Sequence, residues 1–453
     1  MTYSHAKGHL LILVWCLATS YSAFAYNFIS GTPDGSEAWG YIEVRPKAHM
    51  FWWLYHSPGG TRNSWPLILW LQGGPGSSAV GIGNFQEIGP LNTKLKPRAS
   101  TWLQKADLLF LDSPVGSGFS YVENDTLVAH TDAAAADDLL TFLKEFEKIN
   151  RTLQNRPIFI VAESYGGKHA SMLGLALSKA IAAGQLMVKL GGVALGDSWI
   201  SPVDYVISWG PVLKVVSRLE DIDKAHGVAL EIQDQVAKGK YLQAKDSWSR
   251  LQYIISSNSN NVDFYNFLLD SRDDPVSSVV DALESGTPRH YLRYLNFKTN
   301  SKKDESNFDL QAFMNGVIRE KLKIIPPSIK WGAQSGLVFE ALGNDFMKST
   351  VDEVDELLSR GEKVTIYNGQ LDLICATMGT EAWVQRLKWK GLAEFNSKKR
   401  TPLYCNGSQT YGFIKSYSNL QFFWILGAGH FVPLDQPCLA LKMVDMIINM
   451  VRQ

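Results

Sequence analysis

One serine of this chain is placed where a serine could act as a nucleophile. Ser164 follows the apolar run Pro157–Ala162 and precedes Tyr165-Gly166-Gly167, which predicts that a strand, a tight turn and a helix meet at this residue. The pattern is that of the Gly-x-Ser-x-Gly nucleophile elbow, with Ala162 in place of the first glycine. Small neighbours allow a strained turn that exposes the hydroxyl. The alternative is a serine that only caps the helix.

A serine hydroxyl needs a base to take its proton, and in this arrangement the acid and then the histidine follow the serine along the chain. Of nine histidines, His430 is best placed, because it comes just after the apolar run Gln421–Leu426 and two glycines. Asp372, also just beyond an apolar run, is predicted to orient the imidazole. Asp352 and Asp355 are rival acids, but their acidic helical surroundings favour solvent exposure.

Acyl chemistry on a serine also needs two backbone amides that stabilise the oxyanion. One is predicted to be the amide of Tyr165, directly after the nucleophile. The other is expected in the glycine-rich segment Gln72–Ser78, which follows the apolar run Leu67–Leu71. A phosphate-binding loop is the alternative for these glycines, but no Gly-Lys-Ser/Thr sequence follows them.

Short apolar runs separated by helical patterns predict the elements that position these residues. Such runs suit strands buried on both faces of a sheet. The predicted strands are Pro66–Leu71, Asp107–Leu111, Pro157–Ala162, Leu190–Leu195, Lys363–Tyr367 and Gln421–Leu426. Helices are predicted over Ala133–Ile149 and Tyr165–Ala183, and an antiparallel hairpin over Ala38–Arg45 and Ala48–His56. Alternating strands and helices indicate an α/β fold with a mostly parallel central sheet.

The middle of the chain, about residues 197–351, interrupts this alternation with helical and polar sequence. Because strand-like runs resume at Lys363, we interpret it as a helical insertion that forms a lid, within one catalytic domain over residues 26–453. An independent domain is the alternative.

Residues 1–25 have the order of a secretory signal peptide: a polar start, the apolar run Leu10–Ala18, and Ala23-Phe24-Ala25 as a cleavage pattern. The apolar run is too short to span a membrane, so no membrane attachment is expected after cleavage. This predicts the secretory pathway, with a secreted or a vacuolar or lysosomal product. Glycosylation sequons stand at Asn124, Asn150 and Asn406.

The mature chain would keep three cysteines, Cys375, Cys405 and Cys438, which allows one disulfide and one free thiol. All three pairings are open. We favour Cys375 with Cys405, because Cys438 follows Pro437 at the start of a helical pattern and is expected to be buried.

Composition and charge exclude several classes of protein. Charged residues make up 19% and hydrophobic residues 45% of the 453 residues, as in ordinary globular proteins. Lysine plus arginine and aspartate plus glutamate each count 44, so no strong basic field is available to hold nucleic acid. The histidines and cysteines lack metal-ligand spacing, and no metal or other cofactor is expected. A homodimer is left open.

Five segments in this order resemble the serine carboxypeptidase family, and among its members the retinoid-inducible branch and its plant relatives. They are Trp70–Ser78, Asp112–Tyr121, Glu163–Lys168, Gly369–Asp372 and Gly427–Pro433. The resemblance implies an α/β-hydrolase fold with a helical lid insertion. It also implies release of C-terminal amino acids from peptides or proteins through an acyl-enzyme.

The resemblance assigns roles residue by residue. It implies a catalytic triad of Ser164, Asp372 and His430, oxyanion amides at Gly74 and Tyr165, and a site for the substrate's terminal carboxylate formed by Gln72, Gly73, Glu163 and Glu87. The family has asparagine where this chain has Gln72, whose amide lies one methylene further out. A glutamate can bond a carboxylate only when a proton is shared, so activity is expected at acid pH. An acyltransferase with the same triad and a non-catalytic binding protein are the alternatives.

Overall fold

The computed structural model describes residues 29–59, 65–219, 222–270, 309–405 and 407–450. The predicted signal peptide and the sequon at Asn406 lie outside the described residues. Within the described residues, no helix is both long and apolar enough to cross a membrane.

The described residues form one large mixed sheet. Its strands, in chain order, are β1 Ile29–Gly31, β2 Glu37–Arg45, β3 Ala48–Tyr55, β4 Leu67–Leu71, β5 Asp107–Leu111, β6 Tyr121–Val122, β7 Pro157–Glu163, β8 Lys189–Gly196, β9 Val364–Gly369, β10 Thr401–Tyr404, β11 Thr410–Tyr417 and β12 Leu420–Ile425. The order across the sheet is β1-β2-β3-β5-β4-β7-β8-β9-β12-β11-β10, and β6 pairs with β3.

The centre of the sheet is parallel and its two flanks are antiparallel. The parallel pairs join β5, β4, β7, β8, β9 and β12, whereas β1–β3 and β10–β11 pair antiparallel. The six predicted strands of the parallel centre and the hairpin β2–β3 are confirmed. Every residue of β4, β5, β9 and β12 is buried, which explains why their sequences are mostly apolar.

Helices cover the sheet. They are α1 Asp132–Ile149, α2 Gly166–Ala182, α3 Pro202–Val215, α4 Asp223–Ala237, α5 Tyr241–Asn258, α6 Leu310–Phe313, α7 Arg319–Leu322, α8 Gly336–Ala341, α9 Val351–Ser359, α10 Thr377–Val384, α11 Leu392–Ser397, α12 Val432–Asp435 and α13 Pro437–Ile448. Two π-helical segments span Ala79–Ile88 and Met314–Ile318, and single 3-10 turns span Trp102–Gln104, Asp125–Leu127 and Arg151–Asn155. In α1, Thr131 caps the N-terminus, and the periodic positions Leu139, Leu143 and Phe146 are buried against the sheet.

The chain between β8 and β9 leaves the sheet and returns to it as the neighbouring strand. Its described residues form helices α3–α9 and no strand. Part of it reaches back to the glycine-rich segment after β4, where Ser335 N donates to Gly76 O at 3.0 Å and Ser78 N donates to Ala333 O at 3.0 Å.

The disulfide joins Cys405 to Cys438, so the pairing of Cys375 with Cys405 is wrong. Cys405 directly follows β10 and Cys438 lies in the first turn of α13, with their Cα atoms 6.0 Å apart. Cys438 is exposed, contrary to expectation. Cys375 is fully buried beyond β9 as a free thiol. The return of α13 to the β10 edge, which no local pattern indicates, decides the pairing.

Candidate active site

Ser164 forms a sharp turn between strand β7, which ends at Glu163, and helix α2, which begins at Gly166. Its φ angle is 58°, in the left-handed region that a serine rarely adopts and that costs about 1–3 kcal/mol. The amide of Ser164 donates to the carbonyl of Gly196 at 3.0 Å, which continues the β7–β8 pairing up to the turn. The surrounding structure therefore holds the serine in the strained conformation of a nucleophile elbow.

The segment after β4 passes directly over this serine. A Cβ atom on Gly73 would lie 2.4 Å from Ser164 Cβ, 2.9 Å from Ser164 Oγ and 3.0 Å from the amide nitrogen of Tyr165. A Cβ atom on Gly166 would lie 2.7 Å from the carbonyl oxygens of Leu71 and of the next residue. Both glycines are thus required by close backbone approach, and the glycine-rich segment borders both the hydroxyl and the Tyr165 amide.

His430 and Asp372 lie at the same carboxyl edge of the sheet, after β12 and β9. The parallel register pairs Ile425 with Gly369, so the loops that follow the two strands are neighbours. His430 Nδ1 lies 2.8 Å from Asp372 Oδ2, and both residues are at most 1% exposed. His430 Nε2 has no hydrogen-bond partner among the described residues. With the proton on Nδ1, the lone pair on Nε2 is left to accept another proton.

The rival acids lie elsewhere, on α9. Asp352 forms a surface ion pair with Lys388, and Asp355 accepts the backbone amide of Trp389 at 2.7 Å. Neither bonds His430.

A short stretch of the β8–β9 insertion connects the aspartate loop with the histidine loop. The carbonyl of Tyr265 accepts the amide of His430 at 2.8 Å, and the carbonyl of Phe264 accepts the amides of Leu373 at 3.1 Å and Ile374 at 2.8 Å. The ring of Tyr265 packs edge-on against the imidazole at 5.1 Å. Sequence reasoning missed these contacts, because this segment has neither motif nor periodicity.

Two glutamates and one glutamine form a buried polar cluster beside Ser164. Gln72 Nε2 donates to Glu163 Oε1 at 2.9 Å and to Glu87 Oε1 at 3.1 Å, while Gln72 Oε1 accepts from Trp70 Nε1 at 2.7 Å. The three clustered side chains are at most 2% exposed. Burial and then the Glu87 charge raise the pKa of Glu163 well above its usual value, and burial raises the pKa of Glu87 as well. Oε2 of each glutamate has no donor among the described residues, so each suits a protonated carboxyl.

Comparisons with known proteins agree with this geometry. The serine carboxypeptidase family profile matches residues 28–450. This chain belongs to the serine carboxypeptidase family. Serine carboxypeptidase-like 51 of Arabidopsis thaliana is 56% identical, over 91% of this chain and 92% of that protein. The retinoid-inducible serine carboxypeptidase of Mus musculus is 45% identical, over 96% of this chain and 97% of that protein.

A solved structure supports the fold of this family member. The prohormone-processing carboxypeptidase of Saccharomyces cerevisiae superposes with a TM-score of 0.75 at 22% identity, over 93% of this chain and 94% of that one. The likeness, together with the mostly parallel sheet and its helices, confirms the α/β-hydrolase fold.

In this carboxypeptidase, a buried ionic network anchors Tyr165, the residue after Ser164. The Tyr165 hydroxyl donates to Asp132 Oδ1 at 2.8 Å, and Lys168 Nζ pairs with Asp132 Oδ2 at 2.6 Å. His169 Nε2 lies 3.1 Å from the same carboxylate. Although burial opposes ionisation, Lys168 and His169 hold the pKa of Asp132 below its usual value. In the sequence, Lys168 is distinguished only as the last residue of the Glu163–Lys168 segment. No sequence pattern indicates a role for Asp132.

Three predicted site residues remain to be placed: Gly74 and the sequon residues Asn124 and Asn150. Gly74 follows Gly73 with a φ of 109°, which favours glycine. Asn124 is exposed and Asn150 is partly exposed.

Ligand-type atoms of Asp372, Cys375 and His430 lie within 4.8 Å of one another, but Asp372 and His430 already bond each other. Burial and the Asp372 charge raise the pKa of Cys375, which favours the neutral thiol over the thiolate that metals bind.

Proposed function

We propose that this carboxypeptidase cleaves the last peptide bond of its substrates through an acyl-enzyme on Ser164. His430 takes the hydroxyl proton at Nε2 and gives it to the departing amino acid, while Asp372 holds the imidazole by its Nδ1. A water molecule then releases the shortened peptide along the same proton path. The supporting observation is the buried His430–Asp372 bond of 2.8 Å, with a bond-free Nε2, at the sheet edge that carries the strained serine.

The backbone amides of Gly74 and Tyr165 are proposed to stabilise the oxyanion of the tetrahedral intermediate. The support is the close approach of Gly73 to these groups. A Cβ atom added to Gly73 would collide with the Ser164 side chain and contact the Tyr165 amide. The Tyr165 hydroxyl is bound by Asp132, which is itself paired with Lys168, so the Tyr165 amide would need no rearrangement during the reaction.

Selection of the chain end is proposed to come from Gln72, Gly73, Glu163 and Glu87. A carboxyl group accepts a terminal carboxylate as partner only when one of them is protonated. The Glu163 and Glu87 carboxyls are buried beside each other and resist losing both protons, so one neutral carboxyl can donate to the substrate. Raised pKa values keep this donor protonated in acid, and it is lost as the pH rises through those values. We therefore propose activity at acid pH.

The insertion at residues 197–351 is proposed to act as the cap over this site. Support comes from the Tyr265 carbonyl that bonds the His430 amide and from Ser335, which bonds the glycine-rich segment. A cap attached to both loops would limit entry to an extended chain end.

The product of a single substrate pair tests the proposed function. A peptide with a free C-terminus and the same peptide amidated at the C-terminus are incubated at acid pH with wild-type protein and with Ser164→Ala. Mass spectrometry should show stepwise loss of residues from the free C-terminus with wild type only. Cleavage that is equal for the amidated peptide, or that persists in Ser164→Ala, would refute it.

Maturation in the secretory pathway is proposed as well. The Cys405–Cys438 disulfide fits an oxidising compartment, and residues 1–25 have the order of a signal peptide. Expression with Asn124→Gln, Asn150→Gln and Asn406→Gln, singly, should each remove one glycosidase-sensitive mass increment. A secreted protein that carries no glycan would contradict the sequon assignments.

A further inference from the structure

Asp197 is a buried acid that the proposed reaction has not used. It directly follows β8, which lies between the strand that carries the nucleophile and the strand that precedes Asp372. Its side chain is fully buried, and its φ of 41° is in the left-handed region. Its amide donates to the carbonyl of Tyr367 on β9 at 2.9 Å, so the backbone of Asp197 is held against the strand that precedes Asp372.

One oxygen of the Asp197 carboxyl is already committed as an acceptor. Oδ1 accepts from Asn368 Nδ2 at 3.0 Å and from the amide of Gly369 at 2.8 Å. Asn368 is itself fixed, because its Nδ2 also donates to Cys375 O at 2.9 Å and its Oδ1 accepts from Thr380 at 2.6 Å. Oδ2 is buried and has no donor among the described residues. A buried carboxylate oxygen without a donor is costly, whereas a protonated Oδ2 becomes a donor itself.

Acidic groups face this carboxyl from the neighbouring elements. They are Asp372 from the loop after β9, Asp435 from α12 and Glu163 from β7, with the Cys375 thiol also nearby. Burial and then the Asp372 charge raise the pKa of Asp197 well above its usual value. Two buried adjacent carboxyls do not ionise together, and Asp372 is the one that faces the imidazole.

We propose that Asp197 is a positioning residue that stays protonated while the enzyme acts and donates a hydrogen bond from Oδ2 to Asp372. This rests on the proposed triad and extends it by one residue. The bond fixes the Asp372 carboxylate, so that its other oxygen, Oδ2, stays directed at His430 Nδ1. Among the described residues, Asp372 Oδ1 otherwise receives only a long bond of 3.3 Å from the Cys375 amide, so it is free to accept a further donor. When Asp197 ionises at high pH, the donor becomes a second negative charge and the triad loses its alignment.

Asparagine at this position separates the hydrogen bond from the titration. In Asp197→Asn, the amide oxygen can still accept from Asn368 and Gly369, and the amide nitrogen can donate to Asp372 at every pH. In Asp197→Ala the donor is lost. The exposed surface acid Asp352, changed to asparagine, serves as the matched control.

The test is the pH dependence of inactivation by a neutral organophosphonate fluoride, which reports nucleophile activation and needs no terminal carboxylate. Wild type and Asp352→Asn should rise with deprotonation of the imidazole and fall again at alkaline pH. Asp197→Asn should stay within about threefold of wild type in acid and lose the alkaline fall. Below the alkaline fall of the wild type, Asp197→Ala should be slower than wild type by about tenfold or more, the scale of a lost bond to a charged group. KM for peptides should change little in all three variants.

The outcomes distinguish this inference from the proposed function. Asp197→Asn that is as slow as Asp197→Ala, or that keeps the wild-type alkaline fall, would overturn the positioning role while the triad stands. Wild-type protein that the reagent does not label would overturn the triad and this inference together. If Asp197→Ala does not fold, the profile of Asp197→Asn decides alone.

Discussion

Replacing Glu163 by glutamine separates the shape of the proposed carboxylate site from its proton. In the wild type, Glu163 Oε1 accepts from Gln72 Nε2 at 2.9 Å, and Oε2 has no donor among the described residues. Glutamine can keep the first bond with its amide oxygen and place its NH2 group where Oε2 lies. This variant therefore donates to the substrate carboxylate at every pH, without the need for a shared proton.

The size of the effect follows from the proton that the wild type requires. Because the pKa of Glu163 is raised, the donor is present below that pKa and disappears above it, so wild-type KM should rise about tenfold per pH unit beyond it. A hydrogen bond to a charged group contributes about 1.5–3 kcal/mol, which corresponds to roughly ten- to a hundredfold in KM. Glu163→Gln should match wild type within a few-fold in acid and exceed its affinity once the pH passes the raised Glu163 pKa.

Steady-state kinetics between pH 4 and pH 9, on one peptide with a free and with an esterified C-terminus, measure this. Glu163→Ala should raise KM for the free peptide in acid, where the wild type holds its protonated donor, and the ester should show no such change in any variant. Glu87 keeps its own raised pKa through burial, so the double variant with Glu87→Gln should remove the remaining pH dependence. A double variant whose KM still rises tenfold per pH unit would refute the shared-proton reasoning.

Two further predictions concern close packing and the disulfide. Gly73→Ala should lower kcat by at least a hundredfold, because the added Cβ contacts Ser164, and a wild-type kcat would contradict this packing. The control is Gly227→Ala in α4, where the added Cβ has no neighbouring atom. It should keep full activity and raise the free energy of unfolding by about 0.5–1 kcal/mol. Changing Cys405 and Cys438 to serine should lower the free energy of unfolding by about 4 kcal/mol, since the closed loop has a separation of 33 residues. Thiol titration of protein cleaved after Ala25, and therefore without Cys16, should find one thiol, at Cys375, in denaturant without reductant; a second reactive thiol would contradict the pairing.

The predictable part of the fold is the part whose burial imposes a pattern. β5 runs over Asp107–Leu111, as predicted, because a strand buried on both faces is mostly apolar, as Leu108–Leu111 are. The edge strand β10 and its neighbour β11 were not predicted, since their residues are mostly half-exposed and mix polar with apolar side chains. The cysteine pairing failed for a related reason, because it depends on where α13 returns to the sheet edge.

The predictable part of the site is the part held by local backbone chemistry. The tight turn and the close backbone contacts restrict which residues fit, so the sequence reveals Ser164, Gly73 and Gly166. Asp197 was visible only as a residue after an apolar run, and nothing in the sequence indicates that Asp372 is its neighbour. The bonds from Tyr265 to the histidine loop are likewise set by the path of the insertion, which no spacing along the chain determines.

The most direct test of the account is a double-mutant cycle on amino acid release at acid pH. Wild type, Ser164→Ala, His430→Ala and the double variant are compared under saturating peptide, with circular dichroism to confirm that each is folded. If the two side chains act as one unit, each single change should lower kcat by several orders of magnitude, and the double variant should be no slower than either single one. Losses that multiply in the double variant, or a His430→Ala protein within tenfold of wild type, would contradict proton transfer from the serine to this histidine.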